Sequence, residues 1–195
     1  MADIPGYLDL DTLILLFSMM IINSNLRLAG FFQLAGGRLL GWSRNPRIFL
    51  ALEILVTGCL SAFFLNDTIC LMFTPLLLDI ALDHNRNPIP YLIALATAAN
   101  IGSLATLTGN PQNMIIGIAS GIHYADFSAA LVPITLLSLG VIWLLLVEFY
   151  PHEFSGGDFK TDGPVPAPRI DNHALVKSII VVAGMLVAFL AGVPI

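Results

Sequence analysis

Charge is what this chain has least of: of 195 residues, 11% are charged and 57% are hydrophobic. A soluble domain carries about a quarter charged residues and under half apolar ones. A water-soluble globule of ordinary surface is therefore excluded, and a bilayer is the expected solvent. Cysteine is nearly absent. Cys59 and Cys70 both lie in apolar runs, which excludes a disulfide framework and a cysteine metal centre; both are expected to be small apolar groups in helix packing. No Gly-x-x-x-x-Gly-Lys phosphate loop and no His-Glu-x-x-His pair occurs, so any use of ATP would belong to a partner. Basic residues are also missing ahead of the first apolar run. Asp3, Asp9 and Asp11 stand where a cleavable signal carries Lys or Arg, so a membrane anchor is expected there. No nucleic-acid partner is expected.

What is present is a series of apolar blocks. Residues 10–28 are long enough to cross, since about 20 residues at 1.5 Å each span the hydrocarbon. Residues 30–43, with Arg27, Arg38 and Arg44 nearby and Trp42 near the end, suit a helix lying at the interface. The block at 48–83 is interrupted by Asn66-Asp67-Thr68. Its arms are at or below comfortable spanning length, so a re-entrant hairpin competes with two full spans, and length favours the hairpin. The block at 89–121 is interrupted between Thr106 and Asn113. The part beyond would reach only about 14 Å as a helix, so one helix broken at Gly109-Asn110-Pro111 is expected. Residues 127–149 form an uninterrupted span. Residues 151–173 are a polar, Gly- and Pro-rich cytoplasmic linker, and 174–195 are a further span with which a longer protein is expected to continue.

Orientation follows from the basic residues. If 10–28 runs outside to inside, 48–83 returns to its own side, 89–121 crosses once and 127–149 crosses back, all eight fall on one side: Arg27, Arg38, Arg44, Arg47, Arg86, Lys160, Arg169 and Lys177. That side is the cytoplasm. Two crossings within 89–121 would break the pattern. A hairpin and a pair of full spans at 48–83 satisfy it equally.

The two polar interruptions are the candidate chemistry. A break in a membrane helix frees backbone groups that cost several kcal/mol each in hydrocarbon if unpaired, and an ion plus a substrate can pair them. A helix beginning near Thr68 would present its positive end to an anion, and carbonyls between Thr106 and Gly109 could coordinate a cation. Asp67, an ionisable group within an apolar block, could bind a coupling cation, carry a proton or cap the following helix. Glu53 and Asp79 lie near the arm ends and are expected to reach toward the interface. Thr97, Asn100 and Ser103 are expected to bond between helices; His123 and His152 are interfacial. An intramembrane enzyme pairing Asp67 with Asp79, and a channel or membrane subunit of an ATP-driven anion pump, are the competing functions.

The strings themselves have a family look. Ser61-Ala62-Phe63-Phe64-Leu65-Asn66-Asp67-Thr68 with Met72-Phe73-Thr74-Pro75 resembles the hairpin-tip motif of the ion-transporter superfamily. That group holds arsenite efflux pumps, citrate-transporter-like permeases and sodium-coupled dicarboxylate symporters. The run from Ala99 to Asn113 resembles its second signature, ending in Gly-x-Pro-x-Asn where a helix unwinds. The resemblance implies an all-α polytopic membrane protein. Residues 1–150 would be one inverted repeat, with a re-entrant hairpin and a discontinuous helix, and 174–195 the first helix of a second repeat. It also implies elevator-type secondary transport of a small anion or oxyanion coupled to H+ or Na+, a missing C-terminal half, and a homodimer in an inner or plasma membrane. By position, Asn66 and Thr68 would help bind substrate, and Ser61, Asn66, Thr106 and Gly109 would form the first cation site. The polar breaks add Asp67 to both sets and Asn110, Pro111 and Asn113 to the substrate set. No cofactor or metal beyond a coupling Na+ or H+ is expected. Leu65-Asn66-Asp67 replaces the Ser-Asn-Thr typical of the dicarboxylate symporters, and the acid suits proton coupling.

Overall fold

In the computed structural model the described residues are 10–43, 45–155, 159 and 170–193. Arg44, Lys160 and Arg169 of the charge pattern, and most of the linker, lie outside them. The helices are α1 (Leu10–Leu28), α2 (Phe31–Trp42), α3 (Pro46–Phe63), α4 (Asn66–Asp83), α5 (Pro88–Ser103), α6 (Pro111–Ser120), α7 (Tyr124–Phe149), α8 (Pro151–Phe154) and α9 (Asn172–Leu190). Among the described residues all regular structure is helical. Pro46–Phe63, Tyr124–Phe149 and Asn172–Leu190 are each long and apolar enough to cross a membrane.

Helix starts are written into the chain as Asn-Pro and Asp-Asn pairs. Asn45 accepts from Arg47 N at 3.0 Å, Asn87 from Ile89 N at 3.1 Å and Asn110 from Asn113 N at 2.8 Å, each just ahead of a proline. An oxygen acceptor pairs an orphan N–H of the first turn, while the proline has no N–H to pair and the right φ. Asp171 does the same for α9, from His173 N and Ala174 N at 3.0 and 3.1 Å.

The helices α3 and α4 form a hairpin whose arms both pack on α5. The α1–α2 joint bends at Gly30, in the left-handed region at φ 83. From it Phe31 and Phe32 pack edge-to-face on Phe64 at the hairpin tip, with centroids 5.8 and 5.9 Å apart, and Gly36 faces the Leu76 side chain of α4. The 30–43 segment expected at the interface is thus seated along the hairpin. By length and hydropathy, Thr12–Leu28 and Phe31–Leu39 also qualify together as one crossing bent by 62°. The 89–121 segment is broken as expected, but over a longer stretch than Gly109-Asn110-Pro111. Helix α5 ends at Ser103 and α6 begins at Pro111, because Leu104 N and Ala105 N turn tightly onto Ile101 O and Gly102 O at 3.2 and 3.1 Å.

At the opposite end from the tip, the chain leaving α7 fastens the bases of α3 and α5. Glu153 Oε1 accepts from the Tyr91 hydroxyl at 3.1 Å and Oε2 from Asn87 N at 3.2 Å. Arg86 lies 3.8 Å from the same carboxylate and donates to Glu153 O at 3.0 Å. Arg47 Nε donates to Phe154 O at 2.9 Å, and Phe159 fits edge-on against Phe49 and His84. Both partners of the ion pair are mostly buried, with side chains 13% and 12% exposed. Glu153→Ala is therefore expected to lower stability by about 2–3 kcal/mol, the scale of losing a buried charge-assisted bond. Thermal unfolding in detergent measures it, and Glu153→Gln, which keeps the acceptor for Tyr91, should lose less.

Candidate functional site

The two polar interruptions meet. At the hairpin tip, Asn66 N donates to Gly109 O at 3.4 Å, and Asn66 Nδ2 donates to Asn100 Oδ1 at 3.1 Å. Just before the tip, the buried Ser61 hydroxyl donates to Ala99 O at 2.6 Å, and the Thr106 hydroxyl donates to Ala62 O. Four bonds therefore join α3 and α4 around the tip to the end of α5 and the loop beyond it. The approach is close enough to need glycine. A Cβ on Gly102 would lie 2.2 Å from Gly58 O, and one on Gly109 would lie 2.2 Å from Ser103 O.

The broken stretch is paired from within. Ser103 O accepts from Asn110 Nδ2 and from Asn113 Nδ2, both at 3.2 Å, and Thr106 O accepts from Asn113 Nδ2 at 2.8 Å. Asn110 Nδ2 also reaches the Ser103 hydroxyl at 3.2 Å. Thr108, which the sequence reading passed over, links the Thr106 hydroxyl at 3.3 Å to the Tyr124 hydroxyl at 3.2 Å. Part of the pairing expected from a bound ion is thus supplied by two asparagine side chains. Thr106 O keeps a second lone pair for a cation, whereas Ser103 O already accepts two bonds.

Of the residues singled out from the sequence, Ser61, Asn66, Thr106, Gly109, Asn110 and Asn113 are joined in this network. Asn66, Thr68 and Pro111 are half-buried and Asp67 is exposed. Asp67 is the second residue of α4, whose N-cap position is Leu65 without a side-chain cap bond. A carboxylate there lies at the positive end of the helix. Asp79, also exposed, is on the same helix twelve residues on. That spacing puts the two acids roughly 18 Å apart, too far to act as a catalytic pair.

Two expectations are corrected. Glu53 does not reach the interface: it is 0% exposed on α3 and neither oxygen has a hydrogen-bond partner, and Thr57, one turn on, is likewise buried and unpaired. Thr97 bonds Ile93 O at 2.6 Å within its own helix, not to a neighbour. Asn100 bonds between helices as expected, with the tip residue Asn66 as its partner. Among the described residues no group of three or more His, Cys, Asp or Glu could hold a metal ion.

Apolar helices folded so that a hairpin tip touches an unwound stretch of a neighbouring helix define an integral membrane protein. The chain belongs to the citrate transporter family, whose family model matches residues 1–195. The silicon efflux transporter LSI3 of Oryza sativa subsp. japonica is 40% identical over 161 residues, which are 82% of this chain and 33% of that protein. A 46 kDa membrane protein of Mycobacterium leprae is 33% identical over 190 residues, 94% of this chain and 44% of its own length. The inner membrane protein YbiR of Escherichia coli K12 is 31% identical over 170 residues, 85% of this chain and 45% of its length. The chain thus spans a third to less than half of these relatives.

Proposed function

We propose that the chain is the first repeat of a secondary active transporter for a small anion or oxyanion, coupled to H+ or Na+ and working by an elevator-type movement. The observation that carries this reading is the joint between the tip and the unwound stretch, Asn66 to Gly109 and Asn100. Helix α4 begins there with its N–H groups unpaired by any side chain, which suits an anion. The carbonyls of the 104–110 stretch lie beside it and suit a cation. Asp67 at the helix start is the proposed coupling group, as a proton carrier or a cation ligand. Asn66 and Thr68 are the proposed substrate contacts, with Asn110, Pro111 and Asn113 holding the broken helix that completes the site. A second repeat elsewhere in the full-length protein would supply the opposing tip, and two copies would pair as a homodimer. The rice relative is named for silicon efflux, so silicate belongs in the substrate panel.

The test is flux into vesicles reconstituted with the full-length protein, scanning anions and silicate under imposed proton and sodium gradients. Accumulation of one solute against its gradient, driven by one of the two ions, is expected. Asn66→Ala removes the side-chain bond of about 1 kcal/mol or more that joins tip to helix, and should lower uptake about tenfold with membrane insertion intact. Flux at channel rates with no dependence on either gradient, or wild-type uptake by Asn66→Ala, overturns the proposal.

A further inference from the structure

A second polar pocket lies on the other side of the hairpin tip, between α1 and α4. It is a cavity of about 100 Å³ whose lining includes Asn23, Ser24 and Arg27 of α1 and Thr68, Leu71 and Met72 of α4. The α1 run was read from its length alone as an ordinary crossing, yet it ends in Asn23-Ser24-Asn25-Leu26-Arg27. Asn23 is 2% exposed and neither its amide nitrogen nor its oxygen has a partner. Buried side-chain amides are nearly always hydrogen-bonded, so the vacant N–H donors of this amide beside a cavity point to a missing acceptor. Arg27 is exposed, lines the same cavity, and has no ion pair among the described residues. Thr68 brings a hydroxyl in the first turn of α4, where the helix end is positive. The remaining wall is methionine and leucine, the usual apolar setting for a few convergent polar groups.

We propose that this cavity binds a small tetrahedral oxoanion, held by the Arg27 guanidinium, the Ser24 and Thr68 hydroxyls and the Asn23 amide. Guanidinium is the side chain whose fork of donors matches an oxoanion. Room equal to roughly three waters suits a tetrahedral ion and is small for a tricarboxylate. Asp67, the nearest acid in sequence, does not line the cavity. The inference rests on the transporter reading, because Thr68 belongs to both sites: an anion bridging α1 to Thr68 would sit where the hairpin tip meets its neighbour and would be released or admitted as the tip moves.

The experiment uses the full-length protein with Cys59→Ala and Cys70→Ala, carrying Leu71→Cys on the cavity wall, in phosphatidylcholine vesicles. The rate at which a thiol reagent labels the introduced cysteine is followed with phosphate, sulfate or arsenate added. At least one of the three should slow labelling about fivefold or more. Arg27→Gln should abolish the protection, Arg27→Lys should restore part of it, and Asn23→Leu should raise the half-protecting concentration about tenfold. Unchanged labelling with all three ions overturns the proposal, as does protection that survives Arg27→Gln. Slowing by phosphatidylglycerol in the vesicles with no soluble anion also overturns it, assigning the cavity to a lipid headgroup. Uptake by Asn66→Ala, measured alongside, separates the two ideas: loss of uptake with no protection at position 71 removes only the cavity site, and wild-type uptake removes the transporter site.

Discussion

Gly102→Ala in the full-length protein should yield no folded protein. The new methyl would lie 2.2 Å from Gly58 O, 2.4 Å from Gly58 Cα and 2.7 Å from Gly58 C. All three obstacles are backbone, so no rotamer change relieves them and α3 must move away from α5. Among the described helices those two make the most extensive contact, and the Ser61–Ala99 and Thr106–Ala62 bonds at the tip depend on that separation. Overpacking a core costs about 1–3 kcal/mol when side chains can give way; with backbone on both sides the cost should exceed about 3 kcal/mol. Small residues that let membrane helices touch are a recurrent solution where water cannot drive association. Other glycines set the scale. A Cβ on Gly58 would meet the Leu139 side chain at 2.7 Å, which can rotate, so Gly58→Ala should cost less. Gly140, within α7, has nothing within 4 Å of the added atom, and Gly140→Ala should stabilise by about 0.5–1 kcal/mol through helix propensity. Yield of monodisperse protein and its melting temperature, read for all three, check the order; a well-folded, active Gly102→Ala would show that the two backbones are not in contact.

The features legible in the sequence were those with local causes. Asn45-Pro46, Asn87-Pro88 and Asn110-Pro111 are cap-plus-proline pairs, and each opens a helix. The interruptions at Asn66-Asp67-Thr68 and Thr106 to Asn113 stood out because polar residues within apolar runs need partners, and the structure joins them. What the sequence could not supply was depth and neighbourhood. Glu53 looked like an arm-end residue able to reach water; packing of α3 against the rest of the bundle buries it completely. In the sequence Arg27 is only a charge for orientation and Asn23 only one position of the 10–28 run, because their cavity exists only once α4 lies beside α1. The span expected at 127–149 begins three residues earlier, at Tyr124, whose hydroxyl is held by Thr108. Glu153, in what read as a featureless linker, fastens the base of α5 through partners more than 60 residues away in sequence, a distance over which no periodicity reports.

Asn113→Leu should abolish transport while leaving a protein that still inserts. Asn113 is 6% exposed, and both hydrogens of its amide are in use, one on Ser103 O and one on Thr106 O. Leucine has nearly the same size and fills the same space, so the change removes donors without opening a cavity. Thr106 O loses its one side-chain donor and Ser103 O keeps only Asn110. A buried carbonyl left without a donor costs about 1–3 kcal/mol, so the 104–110 stretch is expected to shift until those oxygens find other partners. Gly109, whose carbonyl receives Asn66, lies in that stretch, and the shift separates the hairpin tip from the broken helix. With about 3 kcal/mol lost at the joint, uptake should fall roughly a hundredfold. Asn113→Asp offers acceptors where donors are required and should do no better, whereas Asn110→Ala, which also loses the cap of α6, should combine the transport defect with a further stability loss of about 1 kcal/mol. The bundle base, held by Glu153, Arg86 and Tyr91, is untouched in all three, so yield and membrane insertion should persist. Vesicle uptake and thermal unfolding on the same preparations decide it: Asn113→Leu with wild-type uptake would mean that the unwound stretch holds its shape without these bonds, and that its carbonyls are not positioned for an ion by Asn113.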